Sequence, residues 1–189
     1  MLLLGVLAAQ AEGAVAGAGA YDLLETEILT GSQASVTFSS LNSTYGADYQ
    51  HLQVRVTART NRAFTGDLFE ITLNSDTGSN YSYHGLYGNG SSVLSQGGGS
   101  AAVIEAYRIS GGTNTSDSFG GGVIDILDAF ETTKYTTLRT FMGTTGSINE
   151  VWLNSGLWQN TAAVDSINFE ALGSLVAGSR FSLYGLKGA

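Results

Sequence analysis

The stretch HLQVRVTAR, residues 51–59, alternates apolar and polar side chains with a period of two. In an extended chain Leu52, Val54 and Val56 share one face, while Arg55 and Thr57 point to the other. Alternation of this kind is typical of a β-strand with one face buried and the other in solvent. The stretch is therefore predicted to be a half-buried strand.

The same pattern recurs along most of the chain. LFEITLN (68–74) and SINFEAL (166–172) alternate in the same way, and Phe69 and Phe169 are predicted to face inward. Further strands are predicted near 21–29, 34–38, 81–87, 101–109, 121–128, 134–142, 148–154 and 179–186. Stretches rich in glycine, serine and asparagine separate them, such as SDTGSN, GNGSSVLSQGGGS and SGGTNTSDS. Short strands joined by such turns predict an all-β fold, an antiparallel jelly-roll-like β-sandwich.

Helical patterns are nearly absent from the sequence. Outside the N-terminal segment, only a turn near Asp128–Thr132 is expected to be helical. No internal repeat is present, which disfavours a propeller or a solenoid. The predicted organisation is an apolar arm with a Gly/Ala linker over residues 1–20, followed by one β-sandwich domain over residues 21–189.

The composition points to a protein surface made of hydroxyls and amides. The 189 residues include 26 glycines and no proline, and only 13% are charged, about half the usual share. Serine, threonine, asparagine and tyrosine are abundant, and lysine is rare. This balance favours an extracellular or virion-surface β protein over a cytosolic enzyme.

Several kinds of site are excluded by residue counts. The chain has no cysteine, so it has no disulfide, thiolate or Cys–zinc chemistry. Its two histidines, His51 and His84, cannot form a three-histidine metal site within one chain. The net charge of −8 and the scattered basic residues argue against nucleic-acid binding, which needs a clustered basic face. No cofactor is expected.

The N-terminus begins with the apolar run MLLLGVLAAQAEG. The run is far shorter than the ~20 residues of a membrane-spanning helix, so no membrane partner is expected. A secretory signal removed after Ala11 is one interpretation, although the positively charged start of such signals is missing. The favoured interpretation is a retained arm that anchors the protein to a particle or to neighbouring subunits. The anchor residues are Leu2, Leu3, Leu4, Val6 and Leu7.

Residues 76–79, Asp-Thr-Gly-Ser, spell the active-site loop of an aspartic protease. Such an enzyme needs two carboxylates that share a proton, and it needs apolar residues bracing the loop. Only polar residues flank this motif, which favours a hairpin turn in which Asp76 bonds the local backbone and Gly78 supplies a positive φ. On this interpretation asparagine in place of Asp76 is expected to be tolerated.

Three other titratable residues are candidates for a catalytic or metal-binding role. Asp125 and Asp128 are three apart, so a strand sends them to opposite sides, and no calcium-loop spacing surrounds them. One is predicted to lie on a strand face and the other at a strand end. His84 has no serine or aspartate at catalytic spacing, which favours a structural or interface histidine. No catalytic or metal-binding residue is predicted, and the protein is not expected to be an enzyme.

Aromatic residues offer two interpretations. Tyr81 and Tyr83 are expected on the opposite strand face from His84. Aromatic rings of this kind can fill a core and a subunit interface, which is the favoured interpretation, or they can stack on sugars of a host glycan. The candidate interface or glycan-binding aromatics are Tyr81, Tyr83, Tyr87, Trp152 and Trp158.

Several segments resemble a family of tailed-phage virion proteins that is abundant in marine phages. These segments are SVTFSSL, YQHLQVRVTARTNRA, LNSDTGSNYSYHGLYGNGSS, IDILDAFETTKYTTLR, LNSGLWQNTAAVDSINF and AGSRFSLYGLKG. The similarity runs from about Ser35 to Gly188, and the ending GSRFSLYGLKG is its most specific part. At Leu41-Asn42 the chain departs from the family, which usually has isoleucine followed by proline there.

The resemblance implies a β-rich, non-enzymatic component of a phage particle. Together with the composition, it leads us to expect a capsid-surface decoration or cement protein, located on the virion. We expect a homotrimer that contacts the major capsid protein or other virion proteins. The alternative is a tail-fibre or tail-tip module that binds a host glycan through exposed aromatic residues.

Overall fold

The computed structural model describes residues 21–188, which form twelve β-strands and one short helix. The strands are β1 (Asp22–Ile28), β2 (Gln33–Ser39), β3 (His51–Ala58), β4 (Gly66–Leu73), β5 (Tyr81–Gly88), β6 (Val93–Ala101), β7 (Ile104–Ser110), β8 (Gly120–Leu127), β9 (Thr136–Thr144), β10 (Glu150–Trp158), β11 (Ser166–Leu175) and β12 (Arg180–Leu186). The helix α1 (Leu41–Tyr45) lies between β2 and β3. The predicted arm, residues 1–20, lies outside the described residues.

The strands form two antiparallel sheets that pack as a sandwich. The large sheet has eight strands in the order β1-β12-β3-β8-β9-β10-β5-β6. The small sheet has four, in the order β2-β11-β4-β7. Eight strands are paired in a nested way: β1 with β12, β2 with β11, β3 with β8, and β4 with β7. Because successive pairs alternate between the sheets, the topology is a jelly roll, which confirms the predicted fold.

Two inserted hairpins widen the large sheet beyond this jelly roll. The pair β5–β6 is inserted between β4 and β7, and the pair β9–β10 between β8 and β11. We call β9, β10, β5 and β6 the extension, and β1, β12, β3 and β8 the base. The edge strand β7 of the small sheet packs mainly over β9 and β10. The outermost strand β6 projects past it and is mostly exposed.

Phenylalanine rings fill the centre of the sandwich. Phe69 stacks on Phe169 at 5.7 Å between ring centroids, and Phe181 and Phe38 pack around them. All four side chains are at most 3% exposed. Burying each is worth about 1.5–3 kcal/mol, so this cluster joins the two sheets strongly. The inward orientation predicted for Phe69 and Phe169 is confirmed.

A buried carboxylate fastens one end of the small sheet. Asp67 is fully buried and pairs with the Arg62 guanidinium at 2.9 Å. It also accepts hydrogen bonds from the Thr60 hydroxyl at 2.8 Å and from the backbone N–H groups of Leu68 and Gly173 at 2.9 Å. A buried charge is tolerated only when it is paired and fully hydrogen-bonded, as it is here.

Eleven of the twelve strands overlap segments predicted from the sequence, and two elements were not predicted. Strand β6 lies in a Gly/Ser-rich stretch that was predicted to be a turn, and it forms because its backbone pairs with β5. Helix α1 has five residues and no side-chain cap at Ser40, whose φ is 59°. Burial of Leu41 holds it in place. The turn expected near Asp128–Thr132 begins at Asp128, directly after β8.

Candidate functional site

The outer face of the extension carries a contiguous group of exposed apolar side chains. The strand register pairs Leu86 of β5 with Leu153 of β10, and Leu153 with Phe141 of β9, so the three form one row. Val151 lies on the same face two residues before Leu153. Their exposed fractions are 49% for Leu86, 55% for Leu153, 57% for Phe141 and 51% for Val151. We call these four residues the apolar band.

The sequence of β10, EVWLNSGLW, explains why the band exists. Trp152 and Trp158 point inward and are buried, so the core already has its large side chains on this strand. Val151 and Leu153 occupy the alternate positions and point outward. A sheet face that only meets water normally carries polar residues at such positions. The band is therefore surface that this strand does not need for its own core.

A polar row borders the band on the same face. His84, Ser155, Arg139 and Asp125 are paired in register across β5, β10, β9 and β8. His84 is exposed, and among residues 21–188 no side chain forms a hydrogen bond with its imidazole ring. The row gives the band a hydrophilic rim, as is common around protein interaction surfaces.

The centre of the outer face of the base is polar and internally bonded, whereas its edge strand β1 exposes Leu23. The Gln53 amide donates to the Asp125 carboxylate at 2.7 Å and accepts from the Arg55 guanidinium at 3.2 Å. That guanidinium lies 4.8 Å from the centre of the Tyr184 ring and 5.5 Å from that of Tyr21. Several polar groups on this half of the outer face are therefore satisfied by one another.

The aromatic residues singled out from the sequence come together on the inner face of the extension. Tyr81, Trp152 and Trp158 are 0%, 2% and 1% exposed, so their rings have almost no surface for stacking on a sugar. Tyr83 and Tyr87 are partly buried against the same core. The predicted placement of Tyr81 and Tyr83 on the opposite strand face from His84 is confirmed.

Trp152 is the centre of a three-ring stack. Tyr87 lies on one side at 3.8 Å between centroids, and Tyr107 stacks at 4.1 Å; both are nearly parallel to the indole. The indole N–H donates to the Glu150 carboxylate at 2.8 Å. Because two tyrosines pack on the indole, Trp152 joins β5, β7 and β10 and is not available as a flat binding platform.

A bulge in β7 aims Tyr107 at this stack. Phe69 of β4 pairs with Tyr107, but the next residue, Glu70, pairs with Glu105, so β7 has one extra residue at this point. Tyr107 has a φ of 65°. A bulky residue in this region stores strain of about 1–3 kcal/mol, which the stacking on Trp152 offsets. Burial, together with Glu105, raises the pKa of Tyr83 to about 12 and that of Tyr107 above its usual range. Neither phenol can act as a base at neutral pH.

A cleft of about 420 Å³ lies beside this bulge, and we call it the overhang cleft. It brings together residues from the small sheet, the extension and neighbouring loops: Arg62, Phe64, Leu68, Gln96, Glu105, Tyr107, Arg108, Trp152 and Leu172. Its two arginines are paired with carboxylates, Arg62 with Asp67 at 2.9 Å and Arg108 with Glu150 at 3.5 Å. The cleft thus offers planar polar groups of mixed charge beside the exposed ring of Phe64.

The motif at Asp76 is a turn, as predicted. The Asp76 N–H donates to the Leu73 carbonyl at 2.9 Å, and Asn74 and Ser75 between them have φ values of 52° and 54°. The left-handed residues are thus Asn74 and Ser75, and the expectation of a positive φ at Gly78 is wrong. Asparagine tolerates this conformation better than most residues, which suits it to the turn.

The Asp76 carboxylate only accepts hydrogen bonds. Its donors are the Trp158 indole N–H at 2.8 Å, the Asn80 amide at 2.9 Å and the Gly78 N–H at 2.9 Å. These bonds, the one from Trp158 first, lower the pKa of Asp76 below its usual range. The carboxylate fastens the β4–β5 turn to the end of β10. In Asp76→Asn, the side-chain NH2 group would face one of these three N–H donors instead of accepting from it. We therefore expect the substitution to be destabilising, contrary to the expectation from the sequence.

Asp125 and Asp128 lie apart, as their spacing predicted. Asp125 bonds Gln53 on the outer face, whereas Asp128 follows the last residue of β8 and pairs with Lys134 and Gln50. The hydrogen bond from Lys134, followed by that from Gln50, lowers the pKa of Asp128. Both carboxylates therefore have structural partners.

The apolar band was not identified from the sequence. The signal that could have found it is the segment VWLNSGLW, which is apolar at both odd and even positions. The predicted anchor lies outside the described residues; it comprises Leu2, Leu3, Leu4, Val6 and Leu7.

No family model matches the chain, and no curated protein matches it significantly. Within residues 21–188, no group of three or more histidine, aspartate or glutamate side chains is placed to hold a metal ion. No helix in that part of the chain is long and apolar enough to cross a membrane. The two candidate functional features are the apolar band and the overhang cleft.

Proposed function

We propose that this chain is a non-enzymatic structural protein of a bacteriophage virion, a capsid-surface decoration protein that assembles as a homotrimer. The apolar band is the observation that carries the proposal. A contiguous exposed apolar surface with a polar rim is typical of a protein interaction site. The jelly roll is also a fold of viral capsid domains, and the resemblance to tailed-phage virion proteins supports the same kind of particle.

The energetics of the band favour a ring of subunits over a single contact. The four band residues are each about half exposed, so burying the remainder contributes roughly 1 kcal/mol per side chain. Association costs about 4–15 kcal/mol in lost translational and rotational freedom. One band alone therefore gives weak association, whereas a closed trimer repeats the contact three times.

The titratable residues singled out from the sequence support a non-enzymatic role. The carboxylates of Asp76, Asp125 and Asp128 each bond a structural partner, and His84 stands at the rim of the band. Asp128 also lies 3.4 Å from the His51 imidazole, whose Nδ1 accepts the Asp128 backbone N–H and is thereby held by the same turn. The three carboxylates thus hold strands and turns together.

Oligomeric state tests the trimer directly. Purified full-length protein at micromolar concentration is expected to give three chain masses in mass photometry or sedimentation velocity. A monomer under those conditions, without any particle present, would contradict the proposal.

Copy number tests the position on the virion. Quantitative mass spectrometry of purified phage particles is expected to find hundreds of copies per particle, in contact with the major capsid protein. A handful to a few dozen copies would instead place the protein in the tail.

The overhang cleft favours a second candidate function, a tail module that binds a host glycan. Glu105 and Gln96 offer planar hydrogen-bonding groups to sugar hydroxyls, and Phe64 offers an exposed ring beside them. Glycan-array binding that is lost in Glu105→Gln and Phe64→Ala would support this function. Binding that survives both substitutions would rule out the cleft as the site.

A further inference from the structure

We infer that residues 2–7 of one subunit dock on the apolar band of a neighbouring subunit, an inference that rests on the proposed homotrimer. A ring of three is built from a heterologous contact, in which two different surfaces meet. Band against band would instead give a two-fold dimer. The band therefore needs a different apolar partner on the adjacent chain.

The N-terminal segment is the best match for that partner. Outside the band, the exposed large apolar side chains of residues 21–188 occur singly or in small groups, at Tyr21, Leu23, Ile28, Phe64, Val93, Leu94, Tyr135 and Leu172. By contrast, residues 2–7 place five aliphatic side chains within six positions, and no charged side chain precedes Glu12. Such a segment complements an apolar surface, because docking removes its apolar side chains from water, which is favourable in free energy.

The first described residue, Tyr21, lies on the same side of the large sheet as the apolar band. The Tyr21 ring lies 5.5 Å from the Arg55 guanidinium, and Arg55 points outward from β3. The described chain therefore starts with its Tyr21 ring on the outer face of the large sheet, the face that carries the band.

The intervening linker is long enough. Eight strands at about 4.8 Å spacing make the large sheet about 34 Å wide, and β10 lies five strands, about 24 Å, from β1. Residues 8–20 span up to about 43 Å when extended. The linker can thus cross the whole sheet and still leave residues 2–7 free to reach the next subunit.

Engineered thiols test this docking cleanly because the chain has no cysteine of its own. Full-length protein carrying Leu4→Cys and Leu153→Cys is treated with a short bismaleimide. The matched control carries Leu4→Cys and Thr57→Cys, since Thr57 is exposed on the outer face of the base. We expect cross-linked dimers and trimers with Leu153→Cys, at least fivefold more abundant than with Thr57→Cys.

The outcomes separate this inference from the proposed function. A trimer with no preference for Leu153→Cys, or with only intramolecular cross-links, overturns the docking of a neighbour's segment while leaving the trimer intact. A monomer with no cross-links overturns both. An intact mass showing that the mature chain starts at residue 12 or later also overturns the docking. Unchanged thermal unfolding of each variant shows that the fold is retained.

Discussion

The two halves of the large sheet differ in the side chains on their outer faces, which are mainly polar in the base and apolar in the extension. The base points Arg55, Thr57 and Arg180 outward and buries Gln53 in a bond with Asp125. The extension points Leu86, Phe141, Val151 and Leu153 outward. Both halves belong to one continuous hydrogen-bonded sheet, so backbone geometry does not explain the difference.

The inner faces differ in the opposite direction: that of the base is apolar, and that of the extension is partly polar. The base presents Leu52, Val54, Val56, Ile124 and Ile126 to the core. The extension buries Thr136, Thr140, Thr144 and Asn154 on its inner face, beside apolar residues such as Leu138 and Met142. Asn154 donates to Thr140 at 3.0 Å, so part of this inner face is held by hydrogen bonds.

This contrast indicates what each half contacts. A sheet with water on one side concentrates its apolar residues on the other, as the base does except at Leu23 of its edge strand. The extension divides its apolar residues between both faces, which is the pattern of a sheet with a partner on each side. The extension is therefore the half that we propose to meet another chain.

The largest expected effect comes from placing a charge in the band. Phe141→Asp should weaken subunit association at least about 30-fold, because an aromatic hot spot is worth 2 kcal/mol or more. Thr57→Asp places the same charge on the base and should leave association unchanged. Sedimentation velocity over a concentration series measures both. Equal effects of the two substitutions would remove the distinction between the halves.

The next effect concerns how the extension is fastened. Asp76→Asn should lower the free energy of unfolding by about 1–3 kcal/mol, because one of the donors around the carboxylate loses its acceptor. Asp48→Asn, at an exposed loop residue, is the control and should change little. Urea denaturation measures both. A loss of less than about 0.5 kcal/mol for Asp76→Asn would contradict the acceptor-only role.

The same carboxylate gives a pH dependence with a definite sign. The pKa of Asp76 is lowered in the folded state, so its contribution is present above the ordinary aspartate pKa and is lost as pH falls through the folded value. The stability gap between wild type and Asp76→Asn should therefore be full at pH 7 and should shrink below about pH 4. Urea denaturation across this pH range measures the gap. A gap that widens as the pH falls would show that the sign is wrong.

The smallest effect is expected on the outer face of the base. Asp125→Asn keeps a carbonyl oxygen for the Gln53 amide, so the free energy of unfolding should change by no more than about 0.5 kcal/mol. Thermal and urea denaturation check this. A loss above about 1 kcal/mol would mean that this polar face is held by charge more strongly than its geometry indicates.

The sequence predicted the base of the large sheet better than the extension. In β3 the apolar and polar residues alternate cleanly, so both the strand and its buried face were predicted. In β9, TTLRTFMGT, three threonines share the buried face with Leu138 and Met142, while Phe141 is exposed, so polarity alternates too weakly to assign the faces. Strand β6 is rich in glycine and has no alternation of its own, so it is a strand because its backbone pairs with β5 in a hairpin.

The site was predicted less well than the fold, for a physical reason. Tyr81 and Trp158 were identified as important, but their burial depends on how β4, β5 and β10 meet in three dimensions. The role of Asp76 as a turn residue was predicted from its polar neighbours. Its bond to Trp158 joins residues 82 positions apart, which no local pattern encodes.

One matched pair of residues tests the central claim most directly. Phe141 in the band and Phe64 at the overhang cleft are each 57% exposed in the single chain. In hydroxyl-radical footprinting of the full-length protein at micromolar concentration, Phe141 should oxidise several-fold more slowly than Phe64, and the rates should converge on dilution. Equal rates for the two residues in the concentrated protein would contradict the claim that the outer face of the extension is covered by another chain.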